Sequence, residues 1–107
     1  METVLSGHVL PETILEMVTG FVRNGGGEVW LIDASGVLSY DARSIRVAID
    51  AFTRLGRENG LRRLAAYVKQ PAVRMGAITV AMSLRAMGAL VQIDVIGDRD
   101  ELERLGA

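Results

Sequence analysis

The chain has 107 residues, no cysteine, a single histidine (His8) and a formal charge of -1. One domain with a core of its own fits that length. The missing cysteines exclude a disulfide scaffold, a zinc ribbon, an iron–sulfur site and a thiol nucleophile, and a lone histidine excludes multi-histidine metal sites. An apolar fraction of 50% with 23% charged residues is that of a globular chain and not of a disordered one. A charge near zero argues against non-specific nucleic-acid binding, which needs a basic surplus. Residues 1–20 lack a basic start and an unbroken apolar run, so no signal peptide is expected. The uncharged stretch Met75–Leu84 falls far short of the roughly 20 residues of a spanning helix. The expectation is a soluble, cytoplasmic protein with no transmembrane segment.

The first element is a short strand, Thr3–Leu5, closed by Ser6-Gly7. Pro11 opens a helix at its first turn, where a missing N–H costs nothing. Ile14, Val18 and Phe21 recur at helical spacing, and Asn24-Gly25-Gly26-Gly27 ends the run. Val29 to Ile32 is apolar on both faces, as a central parallel strand covered by helices requires. Residues 34–40 read as a loop. Asp41 reads as the N-cap of a helix to about Arg57, whose inner face is Ile45, Ala48, Ile49, Phe52 and Leu55. Leu64–Val68 is the next strand, and Pro71 starts a helix to about Met87. Val91, Ile93 and Val95 alternate with polar residues, which predicts a half-exposed edge strand. Asp98 caps a short last helix to Leu105. The alternation predicts an α/β fold: a mostly parallel or mixed sheet of four to five strands with helices packed on it, in one domain over 1–107.

The stretch Asp33-Ala34-Ser35-Gly36-Val37-Leu38-Ser39-Tyr40-Asp41-Ala42-Arg43-Ser44-Ile45 carries the most specific pattern. It resembles the signature of the STAS domain of anti-sigma-factor antagonists, roughly D-L-S-G-V, three residues, then D-S-S-G-L. Asp33, Ser35, Gly36, Val37 and Asp41 fall on it, and Ile45 is a near match to its last leucine. Leu5–Leu10 resembles the strand before the family's first helix. Leu64–Val68 and Pro71–Gly76 resemble the SpoIIAA-like group, which includes lipid-binding relatives. The resemblance implies a STAS or SpoIIAA-like fold and a role in binding a regulatory protein partner in bacteria. It also implies a phosphorylatable serine at the position of Arg43, which cannot accept a phosphate. Ala42 and Ser44 replace the neighbouring serine and glycine. The switch is therefore expected to be lost, with a short N-terminus leaving little room for a full extra strand.

The remaining candidates divide between local and functional uses. Asp33, Ser35, Ser39 and Asp41 lie near the carboxyl end of the central strand, where open α/β sheets bind ligands. They also serve as turn and cap residues, the commoner use. With Tyr40, Arg43 and Ser44 they make up the expected partner-binding surface. Tyr40 and Ser44 are additional hydroxyls for phosphate, although nothing flanking them specifies a kinase. Asp33-Ala-Ser-Gly-Val misses one required residue of a dehalogenase-type phosphatase motif and one of a D-x-S-x-S metal motif. The glycine run 25–27 goes from helix to strand, the wrong direction for a phosphate cradle. His8 reads as a surface or turn residue. No metal, cofactor or catalytic group is expected.

The helix from Pro71 places Val73, Gly76, Val80, Leu84 and Met87 on one face and Arg74, Ile78, Ala81, Met82 and Arg85 on the other. An apolar strip between two arginines suits self-association or contact with a lipid or small apolar ligand. Residues 41–85 hold nine Lys/Arg against three Asp/Glu, and the rest hold three against ten. Such segregation suits solvated faces that balance in space, or complementary association. The first expectation is a non-enzymatic interaction module, working through residues 33–45 without a phosphoserine switch. The alternative is a domain that binds a lipid or small apolar ligand, and an enzyme comes third.

Overall fold

The computed structural model describes residues 2–106. Four strands and four helices alternate: β1 (Glu2–Val9), α1 (Pro11–Arg23), β2 (Val29–Tyr40), α2 (Arg43–Glu58), β3 (Arg63–Tyr67), α3 (Pro71–Ala86), β4 (Gln92–Ile96) and α4 (Arg99–Gly106). The strands form one sheet in the order β1-β2-β3-β4, and every pairing is parallel. The α/β expectation therefore holds, with four strands and no antiparallel member among the described residues.

Alternating side chains divide the sheet into two faces. Trp30, Ile32, Ala34, Leu64, Ala66 and Val68 point to one face, with α1, α2 and α3 packed over it. There Phe21 stacks on Trp30 with ring centroids 4.2 Å apart, and Phe52 meets the indole edge-on at 6.2 Å. Ala65, Tyr67 and Ile96 point to the other face, where Leu102 of α4 closes a smaller cluster. In α1 Ile14 and Phe21 are buried, but Met17 takes the buried place expected of Val18, which is half-buried. In α2 Ala48, Phe52 and Leu55 are buried and Ile45 and Ile49 half-buried. The stripe inferred for α3 is buried at Val73, Gly76, Val80 and Leu84. Met87 departs from its stripe because the helix ends at Ala86, which leaves it 58% exposed.

Two expectations are corrected. The first strand runs the full length Glu2–Val9, not Thr3–Leu5. Residues 34–40 continue β2 instead of forming a loop. The two corrections are linked, because the longer β1 supplies the partner for the longer β2. Between Val4 and Ser6, β1 advances two residues while β2 advances from Asp33 to Gly36. Between Gly7 and His8, β2 advances from Val37 to Ser39. Each step leaves one extra residue in β2, a β-bulge. Gly7, at φ 73°, takes the left-handed conformation between them. The edge expectation for Val91–Val95 holds, since β4 pairs only with β3.

Candidate functional site

The expected cluster of Asp33, Ser35, Ser39 and Asp41 resolves into three separate arrangements, because residues along a strand alternate faces and bulges shift that alternation. Asp33 and Ser35 lie at the first bulge, on the α4 side of the sheet. Asp33 Oδ1 accepts the Ser35 hydroxyl at 2.6 Å and its backbone N–H at 3.0 Å. Asp33 Oδ2 accepts from Arg99 of α4 at 2.6 Å, and the same guanidinium reaches Glu2 at 3.1 Å and Glu103 at 3.5 Å. Partial burial pushes the Asp33 carboxyl up, but the Ser35 hydroxyl and amide and the Arg99 charge outweigh it and hold it below its ordinary range. This group ties the last helix to the sheet.

Ser39 follows the second bulge. Its Oγ shares a 2.7 Å hydrogen bond with His8 Nδ1, the two residues being register partners. His8 is thus an exposed strand residue at the carboxyl end of the sheet, not a turn residue.

Asp41 and Arg43 form the third arrangement. Asp41 accepts the Arg43 backbone N–H at 2.9 Å and its guanidinium at 3.1 Å through Nε and 2.8 Å through Nη2. The carboxylate thus satisfies a free amide at the start of α2 and grips the side chain with both oxygens. Arg43, chiefly through these hydrogen bonds, lowers the Asp41 carboxyl to about 2. The guanidinium side chain is nevertheless 78% exposed. It therefore presents a fixed positive charge, oriented by its neighbour and open to solvent.

Ser44 and Tyr40 turn inward. Ser44 is 4% exposed and donates to the Val9 carbonyl at 3.2 Å, so it is withdrawn from any docking surface. That contact pins the first turn of α2 to the end of β1. Tyr40 is half-buried against α3, where a Cβ on residue 76 would lie 2.7 Å from its Cζ. Only glycine leaves room for the ring there.

On α3, Arg74, Met82 and Arg85 are exposed as expected, whereas Ile78 and Ala81 are half-buried. Met75, Met82, Met87 and Leu90 add large apolar surface, at 63%, 66%, 58% and 56% exposure. A groove between this helix and β4 is lined by Ala81, Met82, Arg85, Leu90 and Asp94, among others. A second concavity, an apolar cavity of about 120 Å³, lies between the sheet and the three helices of its larger core.

Sequence reasoning missed Arg99 as a partner of Asp33 and His8 as a partner of Ser39. The pairs span 66 and 31 residues; the packing of α4 on the sheet brings Arg99 to Asp33, and the β1–β2 register brings His8 to Ser39. The one available signal for Arg99 was its isolation as a cation within an acidic segment.

No group of three or more His, Cys, Asp or Glu among the described residues is placed to hold a metal ion. No described helix is long and apolar enough to cross a membrane. No protein-family model and no curated protein matches the chain. Among solved structures it is similar to an uncharacterized protein of the DUF3478 family from Shewanella loihica PV-4, described as having a SpoIIAA-like fold. The two share 12% identity and a TM-score of 0.62, over 97% of this chain and 81% of that one. The architecture, one parallel four-stranded sheet with three helices on one face and a fourth on the other, is a SpoIIAA-like fold.

Proposed function

We propose that the protein is a non-enzymatic docking module of bacterial regulation that binds a protein partner at the carboxyl end of its sheet. The observation that carries this reading is the Asp41–Arg43 fork: a guanidinium held by both oxygens of a carboxylate, yet 78% exposed. Arginine held in this way offers its remaining N–H groups to a carboxylate or a carbonyl at little entropic cost. His8 and Ser39 extend the same end of the sheet with a polar pair. In the resembling signature this position carries the switchable serine, and here its charge is constant. Binding of this kind is therefore unswitched at residue 43.

Binding in place of catalysis is supported by how the carboxylates are used. Asp41, held near 2, is a weak base at neutral pH, and Asp33 is engaged by Ser35 and Arg99. Lipid carriage is less well supported, because a cavity of about 120 Å³ is small beside the roughly 300–1,000 Å³ of ordinary ligand pockets.

Site-specific photocrosslinking tests the reading. A crosslinker at residue 39 should trap a discrete partner in cells, and Arg43→Glu and Asp41→Ala should each abolish the adduct. An adduct indifferent to both substitutions removes the carboxyl end of the sheet as the docking surface. Self-association is a separate proposal, carried by the exposed Met82 and Leu90 in the groove beside β4, with Met75 and Met87 adding exposed apolar surface. Scattering should give a dimer that Met82→Glu dissociates, and a monomer at high concentration refutes it.

A further inference from the structure

The cavity between the sheet and α1, α2 and α3 has walls of aliphatic side chains, among them Val9, Ile14, Ile32, Val73 and Val80. Two hydroxyl-bearing residues, Tyr40 and Ser44, also reach it. The Ser44 hydroxyl is already donated to the Val9 carbonyl. Tyr40 stays half-buried, with its Oη and ring against Gly76. A water inside would need two to four polar partners, and these walls do not supply them. Walls of this kind favour an apolar occupant over water. The cavity's volume, about 120 Å³, approaches the roughly 150 Å³ of apolar cavities that stay empty of water and take up benzene or xenon.

The half-buried lining residues show where the cavity approaches solvent. Leu5 and Ile93 lie on the edge strands, while Tyr40, Ile45 and Ala77 lie on β2, α2 and α3. Tyr40 ends β2 at the carboxyl side of the sheet, where α/β folds place their ligands. Its ring rests in the notch left by Gly76 and is the largest side chain of that trio.

We infer that this cavity is a binding site for a small, neutral, apolar molecule no larger than a single six-membered ring, admitted beside Tyr40. A charged headgroup has no partner inside, so the uncharged ring is taken up and its carboxylate analogue is refused.

Methyl NMR on the full chain tests this with benzene, xenon and benzoate as probes. Benzene should cause saturable shifts at the methyls of Val9, Ile14, Val73 and Val80, with Met75 and Met82 unmoved. Ala48→Val and Ala66→Val narrow two walls of the cavity and should each weaken benzene by about tenfold or more. Tyr40→Ala should speed benzene exchange severalfold. Benzoate should leave the lining methyls in place at the same concentration. The site is refuted if neither benzene nor xenon moves a lining methyl, if surface methyls respond equally, or if benzene survives both narrowing substitutions undiminished. Benzoate shifts at the lining would refute the neutral class, and unchanged exchange in Tyr40→Ala would refute the entry. Should a narrowing variant fail to fold, the wild-type titrations with benzene and xenon still decide.

Discussion

β2 is one strand with two characters. Residues Leu31–Asp33 pair with β1 on one side and β3 on the other, and Trp30 beside them is fully buried. Past Asp33 the strand pairs with β1 alone, through two bulges, and ends in half-buried Tyr40. The first half is dictated by apolar side chains that demand cover on both faces. The second half is made of small and turn-forming residues, yet it is strand because β1 runs alongside it and because Ala34 and Val37 still reach the core. The binding chemistry follows the same division. The first half holds the fold together, and the bulged half aims Ser35, Ser39 and the following Asp41 away from one another.

Trp30→Ala attacks the first half and should have the largest effect. Removing a fully buried indole stacked on Phe21 costs about 3–5 kcal/mol. Tyr40→Ala, in the second half, should cost less, about 1–2 kcal/mol for a half-buried ring. Urea denaturation of the two variants measures the contrast. If Tyr40→Ala proves the costlier, the bulged half rather than the centre holds the sheet.

A subtler break targets how β1 holds the centre. Trp30 Nε1 donates to Thr3 Oγ1 at 2.8 Å across the register. Thr3→Val keeps the shape and removes the acceptor, leaving a buried N–H unpaired. A loss of about 1–3 kcal/mol is expected from that desolvated donor. No loss in the same denaturation assay would mean that the indole finds another acceptor.

Gly7→Ala tests the second half alone. At φ 73° a Cβ is strained whatever the space, so about 1 kcal/mol is expected. The strain lies between the two bulges. Amide exchange at residues 37–40 should therefore accelerate more than at residues 30–33. Equal acceleration along β2 would show that the two halves unfold as one unit.

The same division governs what could be read from the sequence. Val29–Ile32 was legible because an uninterrupted apolar run has few alternatives. Residues 34–40 were not, because Ser-Gly and Ser-Tyr-Asp carry turn propensity, and only pairing with β1 overrides it. The stripe of α3 was legible from spacing alone, up to the residue where the helix stops. Within the site, Asp41 and Arg43 are two positions apart and could be connected from their spacing. Ser44 looked like a surface hydroxyl because periodicity does not reveal that the Val9 carbonyl lies above it. Arg99 was beyond reach, since its contact with Asp33 depends on α4 crossing to the far face of the sheet.

The smallest expected effect is the pH dependence at the Asp41–Arg43 fork. Asp41 titrates at about 2 in the folded protein against an ordinary 3.8. A carboxyl lowered on folding contributes stability above its unfolded value, and that contribution is lost as pH falls through the folded value. The pair is exposed, so its share is modest and screened by salt. Asp41→Asn should therefore be slightly less stable than wild type at pH 7, and the two denaturation midpoints should converge between about pH 4 and pH 2. Asp33 is lowered in the same direction, so wild type and variant both lose stability in acid, and only their difference reports on Asp41. Midpoints that stay parallel down to pH 2 would mean that Arg43 is not held by Asp41 in solution. The oriented charge on which docking at this end of the sheet depends would then be absent.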